Sequence, residues 1–263
     1  MEAGVKYRIR IEYYQKGGAA GVNFIWKNKN ENKDEFSAYL NKADLIIACF
    51  GHNSDTEGEG SDRTFELPEK DKKMLASIFS SKKPTIGIVN AGGNIEMQEW
   101  EPSLKGLIWG FYGGQEAGTA VGDVLFGKVN PSGKLPMTFE KRWEDNPAYN
   151  SYHDPDGDKH VAYTEGIFIG YRGYDKLKRE VQYPFGYGLS YTTYKLSNVA
   201  VSKPNADGAV EVTCKLTNTG NKAGAQVIQV YVGKTESSVV ERPEKEPVSY
   251  THLRAHETRS NLV

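Results

Sequence analysis

The sequence predicts an α/β fold, a layered α/β sandwich domain flanked by partial β-sandwich pieces at both ends. Three short apolar runs, at residues 43–50, 84–90 and 105–112, have the nearly continuous hydrophobicity of buried parallel strands. Helix-like segments occur between and after these runs, which is typical of a sheet covered by helices. Stretches in which apolar and polar residues alternate lie before and after this region and predict further strands.

The first alternating stretch occupies residues 6–26. Apolar and polar residues alternate over residues 7–13 and 22–26, and a glycine-rich segment at 15–21 separates the two. This pattern predicts a β-hairpin. Because two strands alone do not form a stable sandwich, we expect the hairpin to belong to a domain that begins outside this sequence.

Two helices are predicted in the central region. Residues 68–80 begin with a proline in the first turn, and Glu69 favours the positive end of the helix. Residues 117–125 carry apolar residues at the spacing of one helix face. We expect Gly127 to end this second helix at the position after its C-cap.

The C-terminal half contains fewer regular patterns. Residues 128–194 are rich in Gly, Pro, Asn and Tyr, and we expect loops that wrap over the α/β body. Alternation at residues 210–216 and 227–232 predicts strands of a small β-sandwich. Residues 247–263 have no apolar period, and we interpret them as a non-native tail outside the fold.

Charge and hydropathy limit the partners of the chain. The 33 basic and 34 acidic residues give a net charge of -1 without a basic stripe, so no nucleic-acid partner is expected. No apolar run is long enough to cross a bilayer, and no membrane partner is expected. Cys49 and Cys214 are expected to be unpaired buried thiols, and they do not assign the compartment.

The segment with the most evident chemistry is the loop at residues 51–63. It leaves a predicted parallel strand at its C-terminal end, where open α/β sheets place ligand-binding groups. Its glycines allow sharp bends and a close approach to a ligand. The carboxylates of this loop are Asp55, Glu57, Glu59 and Asp62. From residue types alone, a solvated acidic turn and a catalytic loop both remain open.

Seven short motifs follow one another in a fixed order along about 130 residues. They are EGSDR at 59–63 with LP at 67–68, GGQEAG at 113–118, DVLFG at 123–127, NPSGKLP at 130–136, YTEG at 163–166, GYR at 170–172 and YPFGYGLSY at 183–191. Together they resemble the C-terminal α/β sandwich domain of glycoside hydrolase family 3. The resemblance runs from about residue 43 to residue 231.

The resemblance implies a division of the chain. Residues 1–28 are similar to the C-terminal end of a protective-antigen-type β-sandwich insert. Residues 29–194 are similar to the α/β sandwich domain, and residues 195–246 to a truncated fibronectin type III-like domain. Family members carry a preceding (β/α)8 barrel with a nucleophilic Asp, usually directly before Trp. This sequence contains no Asp-Trp pair, so we expect a fragment that lacks the barrel.

The resemblance also implies a function, that of a retaining, exo-acting, β-glucosidase-like enzyme. By alignment with the family pattern Glu-Gly-x-Asp-Arg, Glu59 is the acid/base that protonates the glycosidic oxygen and later deprotonates water. Glu57 is its rival for this role. Arg63 is a candidate substrate-binding residue, with an ion pair to Asp62 that holds the loop as the alternative.

The partners expected from the resemblance are a substrate and a second domain. The substrate is an oligosaccharide or an aryl or alkyl β-glycoside, and the second domain is the missing barrel of the same protein. No cofactor and no metal are expected. A different class of function is also open, a non-catalytic carbohydrate-binding or scaffold module, because β-sandwich pieces flank the α/β domain.

Overall fold

The structure is a computed structural model that describes residues 33–60, 62–152, 154, 157–233 and 240–254, without the side chains of 33–35 and 250–254. The chain divides into two units, Met1–Lys42 and Ala43–Val263. The described part of the first unit is helix α1, Lys33–Lys42. The hairpin predicted over residues 6–26 lies outside the described residues.

The second unit is built on a parallel sheet of three strands. These are β1 (Ile46–Gly51), β2 (Thr85–Asn90) and β3 (Gly106–Trp109), in the order β1-β2-β3. Both pairs are parallel, with Phe50 opposite Val89 and Val89 opposite Trp109. The predicted parallel strands are therefore confirmed, and their carboxyl ends meet at one edge of the sheet.

Burial differs between the strands. Val89 in the central strand is fully buried, whereas the side chains of β1 alternate between buried and exposed. Ile47 and Cys49 lie on the exposed face of β1. The prediction of a buried Cys49 is therefore wrong, because successive side chains of a strand point to opposite faces and only one face of β1 is packed. Cys214 is half-buried, and both thiols are free.

Two helices accompany the sheet. Helix α2 (Glu69–Ser80) contacts β1 and buries Leu75 and Ile78. Helix α3 (Ala117–Leu125) is followed by Gly127 at φ 69°, which confirms the predicted end of this helix. Within the described residues, no helix combines the length and the apolar content that a membrane span needs.

The region from residue 128 to 194 contains more than loops. Strands β4 (Phe139–Glu140) and β5 (Val181–Tyr183) pair antiparallel, and helix α4 (Tyr171–Leu177) lies between them in sequence. The prediction of loops alone is incomplete here, because elements of two to seven residues are too short to show a hydrophobic period.

Two antiparallel pairs form the C-terminal part. Strand β6 (Tyr194–Val201) pairs with β7 (Val212–Asn218), and β8 (Ala225–Val232) pairs with β9 (Glu246–Arg254). The strands predicted at 210–216 and 227–232 are confirmed. The expectation that residues 247–254 lie outside the fold is wrong, because their backbone pairs with β8. The non-native origin of residues 247–263 stays a prediction, as do the domain boundaries.

Helix α4 joins the C-terminal strands to the α/β body. Its side chains form three ion pairs with residues 241–246: Arg172 with Glu246 at 3.1 Å, Lys176 with Glu241 at 2.8 Å and Asp175 with Lys245 at 2.9 Å. These pairs are partly exposed, so each contributes little free energy of unfolding. They nevertheless fix which face of α4 meets the C-terminal strands.

Candidate active site

The acidic loop begins where β1 ends, beside the end of β2. Gly51 has φ 130°, and a Cβ at this position would lie 2.1 Å from the carbonyl oxygen of Asn90. The backbone N–H of His52 donates to that oxygen at 2.7 Å. Because the two backbones approach so closely, residue 51 has to be glycine, and the loop starts in contact with the strand beside it.

A short turn then reverses the chain. The backbone N–H groups of Thr56 and Glu57 both donate to the carbonyl oxygen of Asn53, at 3.0 and 2.8 Å. The side-chain oxygen of Asn53 accepts from the N–H of Asp55 at 3.0 Å, an Asx turn. This turn directs Glu57 back over the carboxyl edge of the sheet.

His52 lies under this turn. Its exposure is 5%, and Nδ1 lies 3.1 Å from Thr56 Oγ1. Burial lowers the pKa of His52, and the positive charge of Arg63 lowers it further, against the opposing effects of Glu57 and Asp71. The imidazole is therefore neutral at neutral pH, and it packs the base of the loop without adding charge.

Glu57 is held by groups from three loops. Its Oε2 accepts hydrogen bonds from the N–H of Gly92 at 3.1 Å and from the hydroxyl of Tyr112 at 2.5 Å. Its Oε1 lies 3.3 Å from Nε of Arg63. Burial pushes the pKa of Glu57 up, but Tyr112, Gly92 and Arg63 together outweigh burial and lower this pKa. Glu57 is therefore an ionised carboxylate, and both of its oxygens already contact hydrogen-bond donors of the protein.

Arg63 and Asp62 anchor the other end of the loop. The guanidinium of Arg63 donates from Nη2 to the carbonyl oxygen of Asn94 at 2.7 Å and from Nη1 to that of Thr64 at 3.0 Å. Asp62 accepts a hydrogen bond from the hydroxyl of Tyr152 at 2.8 Å. Arg63 thus pairs with Glu57, and the expected ion pair between Asp62 and Arg63 is replaced by these separate contacts.

Glu59 lies at the tip, between the two anchored ends. It is exposed, in a turn that includes Gly60 at φ 75°. A Cβ added at Gly60 would meet no heavy atom within 4 Å, so the backbone is not packed against other described residues in that direction. The structure therefore separates the two rival glutamates, with Glu57 bound into the loop base and Glu59 presented outward.

A cleft of about 1040 Å³ opens beside the loop. Its walls include Gly58, the residue before Glu59, together with Trp143 and Tyr152. The rings of Trp143 and Tyr152 are arranged edge to face, with centroids 6.0 Å apart. Such a volume, with aromatic rings and hydrogen-bonding groups on its walls, is of the size that a small organic ligand occupies.

Several residues of the site were missed by the sequence reading. Glu140 lines the cleft at 5% exposure and accepts hydrogen bonds from Asn94 and Asn146, each at 3.1 Å. Tyr112 and Gly92, the partners of Glu57, were also not singled out. Gly92 lies in the loop after β2 and Tyr112 in the loop after β3, and no local sequence pattern indicates that either residue contacts the acidic loop.

Metal binding finds no geometric support in the described part of the chain. There, no group of three or more His, Cys, Asp or Glu side chains converges in an arrangement that could hold an ion.

The geometry defines a class of domain, an α/β domain that presents a carboxylate-bearing loop at the carboxyl edge of a parallel sheet. The family model described as "Glycosyl hydrolase family 3 C-terminal domain" matches residues 2–171. The chain belongs to glycoside hydrolase family 3, and the predicted family and α/β fold class are confirmed.

Relatives and solved structures agree with this assignment. Beta-glucosidase B of Emericella nidulans is 36% identical over 287 residues, which cover 99% of this chain and 34% of the relative. A GH3 beta-glucosidase structure from Bifidobacterium adolescentis matches with a TM-score of 0.79 and 32% identity, over 89% of this chain and 35% of that one. The beta-glucosidase of Kluyveromyces marxianus in complex with glucose matches with a TM-score of 0.76 and 35% identity, over 86% and 27%.

The chain spans about a third of the length of the curated relatives that it matches. The sequence shared with these relatives includes the acidic loop and the sheet that carries it, since the matches cover nearly the whole chain.

Proposed function

We propose that this chain is part of a retaining, exo-acting β-glycosidase, β-glucosidase-like in its substrate, to which it contributes the general acid/base. Glu59 protonates the departing glycosidic oxygen in the first step and deprotonates water in the second. The observation that carries the proposal is the anchored loop, which presents Glu59 at its tip beside a cleft. The names of the relatives support a β-glucoside as substrate.

The contacts of Glu57 favour Glu59 as the acid. A general acid has to be protonated when the substrate binds, so its pKa should not be lowered by its surroundings. The pKa of Glu57 is lowered by Tyr112, Gly92 and Arg63 acting against burial, and its oxygens are engaged. Glu57 is therefore suited to holding the loop, and the exposed Glu59 is suited to meeting a substrate.

The second carboxylate of the reaction is proposed to come from a preceding (β/α)8 barrel. Retention requires two carboxyl groups roughly 5 to 5.5 Å apart, one acting as nucleophile and one as acid/base. The shared length with the relatives, about a third of each, leaves room for such a domain in the full-length protein. The substrate would then bind between the barrel and the acidic loop.

Arg63 is retained as a candidate substrate-binding residue at the wall of the cleft. Its guanidinium already contacts Glu57 and the carbonyl oxygens of Thr64 and Asn94. These contacts favour a role in holding the loop, and a contact with substrate would use the remaining donor positions of the guanidinium.

The test is the substitution Glu59→Gln in the full-length protein, with an alkyl β-glucoside as substrate. We expect kcat to fall by roughly 10²- to 10⁴-fold, the usual contribution of a positioned general acid or base. An aryl glycoside with an easily displaced leaving group should lose much less in its first step, because that oxygen leaves without protonation. The measurement is steady-state and pre-steady-state hydrolysis of both substrates.

Glu57→Gln serves as the matched control, since it changes the same side chain two residues away. Azide should restore turnover of Glu59→Ala by attacking the glycosyl-enzyme in place of activated water, and should not restore Glu57→Ala. Rescue of Glu57→Ala alone would transfer the acid/base role to Glu57. Full activity of both Gln variants would favour the non-catalytic carbohydrate-binding or scaffold module.

A further inference from the structure

The loops that follow all three parallel strands meet at one carboxylate. Glu57 belongs to the loop after β1, Gly92 to the loop after β2 and Tyr112 to the loop after β3. The two bonds to Glu57 Oε2, from Gly92 N–H at 3.1 Å and from Tyr112 Oη–H at 2.5 Å, therefore connect loops that are far apart in sequence. The Glu57 carboxylate therefore connects the three loops at the carboxyl edge of the sheet.

The backbone around this contact is adapted to it. A Cβ on Gly92 would lie 2.8 Å from Oε1 of Glu57 and 3.3 Å from Cε2 of Tyr112, so only glycine leaves room for both. Phe111, directly before Tyr112, has φ 49°, a left-handed conformation that costs a non-glycine residue free energy. The strained residue turns the chain at the end of β3, where the tyrosine ring is directed to Glu57.

The electrostatics agree with this geometry. Burial raises the pKa of Tyr112 and the hydrogen bond to the Glu57 carboxylate raises it further, so that the pKa is about 12. A hydroxyl that donates to an ionised carboxylate makes a stronger bond than a neutral pair does. Tyr112 is 53% exposed, so this bond is partly screened by water, and the loop depends on all three partners of Glu57 together.

We propose that Tyr112 is a positioning residue of the acidic loop: through Glu57 it holds the loop base against the loops after β2 and β3, and so sets where the tip carrying Glu59 stands. We use the term clamp for Glu57 together with the three residues that bind its carboxylate, Arg63, Gly92 and Tyr112. The proposal for the loop position depends on the geometry alone, and its consequence for catalysis rests on the proposed function of Glu59.

The first test uses the chain itself and measures amide hydrogen exchange by mass spectrometry. Tyr112→Phe removes one hydroxyl, and we expect exchange in residues 53–60 to become about five- to tenfold faster. This is the range for the loss of a typical hydrogen bond, because water partly screens the charge of the acceptor. Tyr163→Phe is the matched control, because the same atom is removed from a tyrosine that is 81% exposed. The melting temperature should be nearly unchanged in both variants.

Three further variants test the same contact from the side of Glu57 and Gly92. Gly92→Ala places a methyl group against the Glu57 carboxylate, and Glu57→Ala removes that carboxylate, so both should speed exchange in the loop as Tyr112→Phe does. Glu57→Gln keeps an acceptor for Gly92 and Tyr112 and should recover part of the protection. Loop exchange in Tyr112→Phe equal to that of the parent chain would overturn the proposal.

The second test measures turnover in the full-length protein. Tyr112→Phe should lower kcat by about five- to tenfold with little change in KM, because the mispositioned acid affects the transition state more than ground-state binding. Faster exchange with unchanged kcat would keep the clamp and reject its effect on catalysis, whereas the catalytic role of Glu59 is tested separately by Glu59→Gln. Unchanged exchange together with a strong effect of Glu59→Gln would reject the clamp and keep the proposed function.

Discussion

Two identical side chains, two residues apart, illustrate how environment sets a role. Glu57 is bonded by Gly92, Tyr112 and Arg63, and these contacts lower its pKa against the effect of burial. Glu59 is exposed on a turn with glycine on both sides. Because proton donation needs a carboxyl group that is free to hold its proton, the contacts of Glu57 argue for a positioning role and leave chemistry to Glu59.

His52 makes the stability of the loop region depend on pH. Its folded-state pKa lies below 6.5, because burial and Arg63 disfavour the imidazolium in spite of Glu57 and Asp71. A histidine with a lowered folded pKa binds more protons when unfolded, so its contribution to stability is present above pH 6.5 and is lost as the pH falls below it. His52→Gln should therefore lose less stability than the parent chain between pH 7 and pH 5.

Urea unfolding at pH 7, 6 and 5 measures this difference through the transition midpoints. His160→Gln is the control, because the side chain of His160 is 85% exposed and lies on the surface. If the parent chain and His52→Gln lost the same stability on acidification, the buried neutral state assigned to His52 would be wrong.

Two groups of strands have different places in the fold: β1 to β3 carry the loops of the candidate site, and β6 to β9 form the C-terminal part. The parallel strands β1 to β3 bring the loops of the clamp to one edge, which is a consequence of their shared direction. In the C-terminal part, β9 was not expected, yet its backbone pairs with β8 along residues 246–254. The charged residue Glu246 at the start of β9 also pairs with Arg172 of α4.

A chain that ends at residue 245 should therefore unfold at a lower temperature than the complete chain. Without β9, strand β8 loses its ladder partner and exposes unpaired backbone groups along one edge. A chain that ends at residue 254 is the matched control, since it keeps β9 and should melt like the complete chain. Calorimetry of the three chains measures the effect, and equal melting temperatures would show that the β8–β9 pairing adds no stability.

In the proposed function, the chain as a whole supplies one of the two carboxylates of a retaining reaction. The family assignment rests on residues 2–171, and the chain spans about a third of its curated relatives. The cleft beside the loop is lined by Trp143 and Tyr152, among other residues. In the proposed function, the preceding barrel would cover this cleft when a sugar is bound.

We expect the 263-residue chain alone to show no β-glucosidase activity. A general acid without its nucleophile leaves one of the two carboxylates of the retaining reaction, and the covalent intermediate cannot form. Release of the aryl alcohol from an activated aryl β-glucoside is the measurement, with the full-length protein as the positive control. Saturable hydrolysis by the purified chain would contradict this division of roles.

Local sequence patterns were sufficient for the α/β class, the parallel strands and the two main helices, because hydrophobic periodicity reports how each segment is buried. The order of the motifs identified the family, and the glycines of the acidic loop indicated a candidate site. The short elements β4, β5 and α4 and strand β9 were not predicted, because they lack a full apolar period.

The surroundings of each carboxylate became evident only in the tertiary structure. Glu57 is bound by Gly92 and Tyr112, which lie 35 and 55 residues further along the chain. No window of sequence contains such a contact, since it exists only after three parallel strands place their loops at the same edge of the sheet. The sequence by itself determined which carboxylates are candidates for the chemistry. The packing of the loops determined that Glu57 is hydrogen-bonded at the loop base and that Glu59 is exposed at the tip.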